Sequence, residues 1–111
     1  IIGDVKIGKN CYVGPYTILD GSAGLTIGDN TSIAAGVHIY SHDSVSRNLG
    51  GSKFELSLGS VKIGNNCFIG PNAVVAKGVD IGNHCFVGSN SVLTFSIKNF
   101  SAVSAKCVTS T

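Results

Sequence analysis

The sequence predicts an all-β solenoid, in which short strands stack coil upon coil, and three observations lead there. Between Val61 and Thr94 an aliphatic residue returns at every sixth position: Ile63, Ile69, Val75, Ile81, Val87 and Leu93. Gly or another small residue mostly follows it, as at Gly64, Gly70, Ala76, Gly82 and Gly88. A small or β-branched residue precedes it by two, as at Val61, Cys67, Ala73, Val79, Cys85 and Ser91. A period of six is neither helical nor the alternation of a simple strand. A six-residue unit has room for one short strand and one turn, so it can bury its apolar residue only against the coils above and below it.

The N-terminal third carries the same period through Ile1, Ile7, Val13 and Leu19, slips by two, and resumes at Ile27, Ile33 and Ile39. The slip, at Gly21 to Gly24, is expected to be a widened turn. Three residues after the aliphatic positions come Asn10, Asn30, Gly36, Asn66, Asn72, Gly78 and Asn90. These types tolerate a left-handed backbone in a tight corner. Between Ile39 and Ile63 the period breaks, and 18 residues beyond the normal step are present. They predict a polar loop extruded over about 41–59 from a single solenoid domain spanning 1–111, with Phe54, Leu56 and Leu58 expected to pack on something. Irregular segments of that length in a compact domain are usually functional or mobile.

These repeats resemble the hexapeptide-repeat proteins. The resemblance implies a left-handed parallel β-helix of about five coils, each with three six-residue faces. The faces, labelled A, B and C in rotation, differ in what they turn outward, because the residue just before each aliphatic one points to solvent. Face B shows Lys6, Thr26, Lys62 and Asp80, an ordinary wet surface. Face C shows Tyr12, Ser32, Phe68 and Phe86, and face A shows Ile18, His38, Val74 and Val92. Contiguous apolar patches of this kind mark partner surfaces. A face A set against a neighbour's face C is a heterologous contact that closes into a ring, and the simplest ring of triangular prisms is a homotrimer, which the resemblance also implies. The alternative is that terminal segments outside this sequence cover one of the two faces.

A net charge of +2 with scattered Lys and Arg excludes a strong case for nucleic acid or an anionic membrane. No apolar run approaches the ~18 residues needed to span a bilayer. The chain begins without Met and already in phase, and is expected to be a piece of a longer protein. Of four cysteines, Cys11, Cys67 and Cys85 fall two residues before an aliphatic position and read as small inward hydrophobes. Cys107 stands in the tail with no metal-ligand spacing beside it. No metal site or disulfide framework is expected, and free thiols fit a cytoplasmic location.

Three histidines are present. His84 occupies a corner otherwise held by Asn, a conformation His partly shares, and reads as structural. His38 points outward from face A and reads as an interface residue. His42 also falls at a corner by phase, but it begins the extruded loop and joins apolar face A to wet face B. That places it at the mouth of a cleft between subunits, where ligand sites concentrate.

The stretch SIAAGVHIYSHD, the polar loop, and then VKIGNNCFIGPNAVVAKGVDIG resemble the hexapeptide O-acetyltransferases of sugars, such as the maltose and galactoside enzymes. The resemblance implies acetyl-CoA as acyl donor, a sugar or related small hydroxylated acceptor, and His42 as the base that takes the acceptor proton. It places the donor in the groove between two prisms against Phe68, Pro71, Ser89 and Thr94, with Lys106 in the part of the tail that echoes the family's closing stretch. That tail, FSAVSAKCVTST, lacks the Gly and Pro usual there. The chemistry stands on its own terms, since an imidazole with an ordinary pKa of about 6.5 is matched to deprotonating a hydroxyl as it attacks. Asp43 is a candidate to orient the imidazole. Two other functions remain open: a non-catalytic β-helix scaffold, and a zinc enzyme resembling the gamma-class carbonic anhydrases, with three histidines as ligands.

Overall fold

A repeat that can bury its apolar residue only against its neighbours forces stacking, and the computed structural model, which describes residues 1–50 and 56–104, is a parallel β-helix of five coils. In chain order its first strands are β1 (Ile2–Ile7), β2 (Tyr12–Val13), β3 (Ile18–Ile27), β4 (Ser32–Ile33) and β5 (His38–Ile39). The loop contributes β6 (His42–Asp43), the short helix α1 (Val45–Leu49) and β7 (Ser57–Leu58). The helix then resumes with β8 (Val61–Ile63), β9 (Phe68–Ile69), β10 (Val74–Val75), β11 (Asp80–Ile81), β12 (Phe86–Val87), β13 (Val92–Leu93) and β14 (Ala102–Val103).

The register is the one the period demands. On face B, Ile7 pairs with Ile27, Ile27 with Ile63 and Ile63 with Ile81. Face C stacks Val13, Ile33, Ile69 and Val87, and face A stacks Leu19, Ile39, Val75 and Leu93. From Leu19 onward every one of these is at most 2% exposed. Ile7 and Val13, expected in the same inward ladder, are instead exposed, because they lie on the outermost coil and are covered from one side only. At the other end the ladder runs further than the period suggests. Ile97 follows Leu93 by four residues rather than six, yet bridges to Ile81, and Val103 pairs with Val87.

Corner chemistry holds these turns. Asn10, Asn30, Asn66, Asn72, His84 and Asn90 all take φ between 55° and 60°. Tyr16 and Phe100, in phase with them, adopt the same conformation, which is uncommon for bulky side chains. Two residues ahead of each face C aliphatic, a column of weak donors satisfies carbonyls of the next coil: the thiols of Cys11, Cys67 and Cys85 donate to Gly28, Gly82 and Lys98 at 3.0, 3.0 and 3.1 Å, and the Thr31 hydroxyl donates to Gly64 at 2.8 Å. Cys107 lies outside the described residues.

Two local expectations are corrected, the slip and the packing of the loop's leucines. The slip at Gly21 to Gly24 is not a widened turn but part of β3, which runs unbroken round the A–B corner and pairs with β5 before it and β8 after it. Gly21 is required there, since a Cβ would sit 2.2 Å from the Asp4 carbonyl oxygen of the coil above. The extruded loop is an antiparallel ribbon, His42 opposite Leu58 and Asp43 opposite Ser57, carrying α1. Leu56 and Leu58 do not pack but are exposed, the alternation placing them on the ribbon's outer side; Phe54 lies outside the described residues. No helix among the described residues is long and apolar enough to cross a membrane.

Ile69, fully buried in the middle coil, tests this architecture. Ile69→Asp is expected to abolish folding, because it sets an unpaired charge between coils, and Ile69→Ala to cost about 2–5 kcal/mol. Circular dichroism and urea denaturation of the two variants measure this.

Candidate active site

From Ile7 to Leu93 the residue after each aliphatic one is small except at Asp20, Tyr40 and Thr94, and all three exceptions end face A. The A–B corner is where the regular turn is abandoned, first by the unbroken run of β3 and then by the loop. Leu19 pairs with Ile39, so Asp20 and Tyr40 follow one another on adjacent coils.

Ser41, buried, ties this corner together. Its backbone N–H donates to Asp20 Oδ2 at 3.1 Å, its hydroxyl oxygen accepts from the N–H of Ala23 at 2.9 Å, and its carbonyl accepts from Gly59, where the loop returns, at 2.9 Å. The next residue, His42, thereby places Nδ1 2.5 Å from Asp20 Oδ2 while its ring stays one-third exposed. Asp20 is 1% exposed, and its Oδ1 accepts from the N–H and hydroxyl of Ser22 at 2.9 and 2.5 Å. Burial alone would raise the pKa of this carboxyl, but the hydrogen bonds from Ser22, Ser41 and His42 outweigh it and lower it to about 2. Asp20 is therefore ionised at neutral pH. A carboxylate facing Nδ1 requires the proton there, which leaves Nε2 of a neutral His42 as a lone pair able to accept one.

Asp20, not Asp43, orients the imidazole. Asp43 faces the other way: Oδ1 accepts from the Val45 N–H at 3.1 Å and Oδ2 lies 3.6 Å from Lys77 Nζ. His42 is also absent from the left-handed corners, because β6 carries it off the coil. A cavity of about 440 Å³ opens beside it, walled by Tyr40, Val74, Ala76 and Val45, with Asp43 and Lys77 at its polar side. The Tyr40 hydroxyl is 3.0 Å from Nδ1 of His38 on face A.

The other sequence-predicted residues are dispersed. Phe68 stands outward on face C, its ring stacked on Phe86 with centroids 5.6 Å apart. Pro71 and Ser89 are exposed at the C–A corner, where the Asn90 N–H donates to the Pro71 carbonyl. Thr94 is exposed at the end of β13, on the same edge as Ala76 and Tyr40. Only Thr94 thus shares the edge of His42, since in a triangular prism the A–B corner lies opposite face C. Lys106 falls outside the described residues. His84 keeps its corner and stacks on Phe100 at 4.8 Å. Among the described residues no three His, Cys, Asp or Glu side chains gather to hold a metal ion. Asp20 was missed by sequence reasoning, although an acid where the repeat wants a small residue was a usable signal.

Comparison with known proteins adds to this geometry. The family profile described as bacterial transferase hexapeptide (six repeats) matches residues 60–94, and the hexapeptide repeat of succinyl-transferase matches residues 4–41. Among curated proteins no sequence matches the chain. A hexapeptide-repeat-containing acetyltransferase from Vibrio cholerae superposes with a TM-score of 0.78 at 26% identity, over 91% of this chain and 57% of that one. A maltose O-acetyltransferase from Clostridium difficile gives 0.78 at 28%, over 91% and 54%. A point mutant of AntD, an N-acyltransferase from Bacillus cereus, gives 0.81 at 22%, over 92% and 60%, a likeness of fold. The chain spans less than two thirds of the length of these three proteins.

The lowered pKa of Asp20 has a measurable consequence. As pH falls, the unfolded chain, with an ordinary carboxyl near 3.8, takes up its proton before the folded chain does. The stability Asp20 contributes, about 2 kcal/mol by linkage, is full above about pH 5 and is lost as the pH falls toward about 2. Chemical denaturation across that range is expected to show this fall, and Asp20→Asn to flatten it.

Proposed function

We propose that this chain, which belongs to the hexapeptide-repeat transferase family, is an acetyl-CoA-dependent O-acetyltransferase acting on a sugar or related small hydroxylated acceptor. The observation that carries the reading is the His42–Asp20 pair beside an open cavity. A buried carboxylate held by four hydrogen bonds and aimed at one imidazole nitrogen is costly to maintain and has a plain use in proton transfer. The similarity to a maltose O-acetyltransferase supports the acyl donor and the acceptor class.

In this mechanism the acceptor hydroxyl gives its proton to Nε2 of His42 as its oxygen attacks the thioester carbonyl carbon. The carbon–sulfur bond then breaks, and the proton passes from Nε2 to the departing thiolate. Asp20 is a positioning residue: it holds the proton on Nδ1 and stabilises the transient imidazolium. The base is expected to contribute about 10²–10⁴-fold.

The active site lies between subunits of a homotrimer. Tyr12, Phe68 and Phe86 on face C, with Val92 on face A, leave apolar side chains exposed, and a neighbour's face C set toward face A brings its Phe68 over the groove that runs from the cleft His42 borders toward the threefold axis, where Pro71 and Ser89 stand at the C–A corner. These residues fit an extended thioester arm, since the Phe68–Phe86 stack offers a flat apolar wall with Pro71 and Ser89 exposed at its edge, and Thr94 is exposed on the edge that carries His42. Lys106, which lies outside the described residues, is kept in the set by the resemblance alone. The free thiols of Cys11, Cys67 and Cys85 support work in a reducing cytoplasm.

Two measurements test this. Sedimentation equilibrium at micromolar concentration is expected to give a trimer, and a monomer would remove the intersubunit site. In a thiol-release assay with acetyl-CoA and a panel of sugars, His42→Ala is expected to lower kcat by about 10²–10⁴ with the trimer intact. Asp20→Asn, which offers an N–H to Nδ1 and so reverses the tautomer, is expected to lower kcat by about as much, whereas His84→Asn keeps wild-type turnover. Wild-type turnover in the His42 variant would end the mechanism.

A further inference from the structure

The cavity beside His42 carries one more pair of polar groups. Asp43 Oδ2 and Lys77 Nζ face each other at 3.6 Å, beyond the 2.7–3.2 Å of a nitrogen–oxygen hydrogen bond. Both side chains are about one-third exposed. The Val45 N–H uses only Oδ1 of Asp43. Oδ2 therefore keeps lone pairs, and Lys77 keeps three N–H donors, directed at the same space. The pair comes from two elements, Asp43 from β6 of the ribbon and Lys77 from the turn after β10. The cavity between them is walled on its other side by apolar Val74, Ala76 and Val45 and the ring of Tyr40.

From this arrangement we infer that Asp43 and Lys77 form the acceptor clamp of the His42 site, gripping two neighbouring hydroxyls of an uncharged sugar. The inference rests on the transferase reading above and adds to it the charge class of the acceptor and the residues that select it. A hydroxyl is at once donor and acceptor. One hydroxyl can donate to Asp43 Oδ2 while its neighbour accepts from Lys77 Nζ, and the sugar's C–H face lies on the apolar wall. A third hydroxyl is then left for Nε2 of His42. Charged acceptors are disfavoured in opposite ways. A carboxylate or phosphate must take Lys77 and leave Asp43 beside a like charge, and an ammonium must take Asp43 and displace Lys77. The two charges cancel, so the described residues that line the cavity have no surplus to offer either ion.

The probes are matched sugars: glucose, galactose and maltose as neutral acceptors, glucuronate as the anion, and glucosamine as the cation. With the full chain and acetyl-CoA, the best neutral sugar is expected to exceed both charged ones in kcat/KM by at least tenfold. Lys77→Met and Asp43→Asn are each expected to raise KM for it at least tenfold, with a much smaller fall in kcat, whereas Lys62→Met on face B changes neither. Calorimetric titration of the neutral sugars alone reads the clamp without the reaction. Wild-type binding that Lys77→Met abolishes supports the clamp even where no acceptor releases thiol, and thiol release by no acceptor counts against the transferase reading. An unchanged KM and affinity in both variants, a preference for glucuronate or glucosamine, or no binding of any neutral sugar would overturn the clamp.

Discussion

Backbone hydrogen bonds between coils govern everything else in this molecule. The N–H of Gly8 donates to the Ile27 carbonyl, Gly28 to Ile63, Gly64 to Ile81 and Gly82 to Ile97, each at 2.8–2.9 Å. This repeat holds every residue over its equivalent one coil away, so a choice of side chain at one level constrains the next. Aliphatics line up inside, thiols and a hydroxyl line up beside them, and at the B–C corner Asp29, Asn65, Asn83 and Asn99 each accept the N–H of the equivalent residue one coil earlier. A platform built this way has little freedom left for local adjustment.

The candidate site is placed where the platform yields. Asp20 is the one charged side chain buried among the described residues. It sits where β3 rounds a corner instead of turning. The cost of removing a carboxylate from water is offset there by charge-assisted hydrogen bonds from Ser22, Ser41 and His42. Since Ser41 also binds Ala23 and Gly59, the same bonds that satisfy the charge seat both ends of the ribbon. Charge burial and loop placement are one structural event.

That division explains what was legible in the sequence. A six-residue period reports contacts at a fixed offset, so the three ladders, the corners and the loop's position could be read directly, and His42 stood out by opening the loop. Asp20 could not be paired with it in the same way. The two are 22 residues apart, and their contact depends on β3 remaining extended through glycines that read as a turn. The ribbon of β6 and β7 was hidden for a different reason, since strands of two residues carry no alternation to detect. A two-residue deficit before Ile97 likewise concealed the fifth coil's place in the ladder.

The column that contains Cys67 and Cys85 gives the molecule an internal reporter of its own integrity. Both residues are 3% exposed and their thiols donate to carbonyls of the coil below, and burial pushes the Cys67 thiol above its ordinary pKa. A thiol without access to solvent is inert to alkylating reagents. It becomes reactive only when the third or fourth coil separates from its neighbour. The rate at which an alkylating reagent consumes each of these sulfurs therefore clocks the opening of the solenoid at two interior levels, with no foreign label introduced.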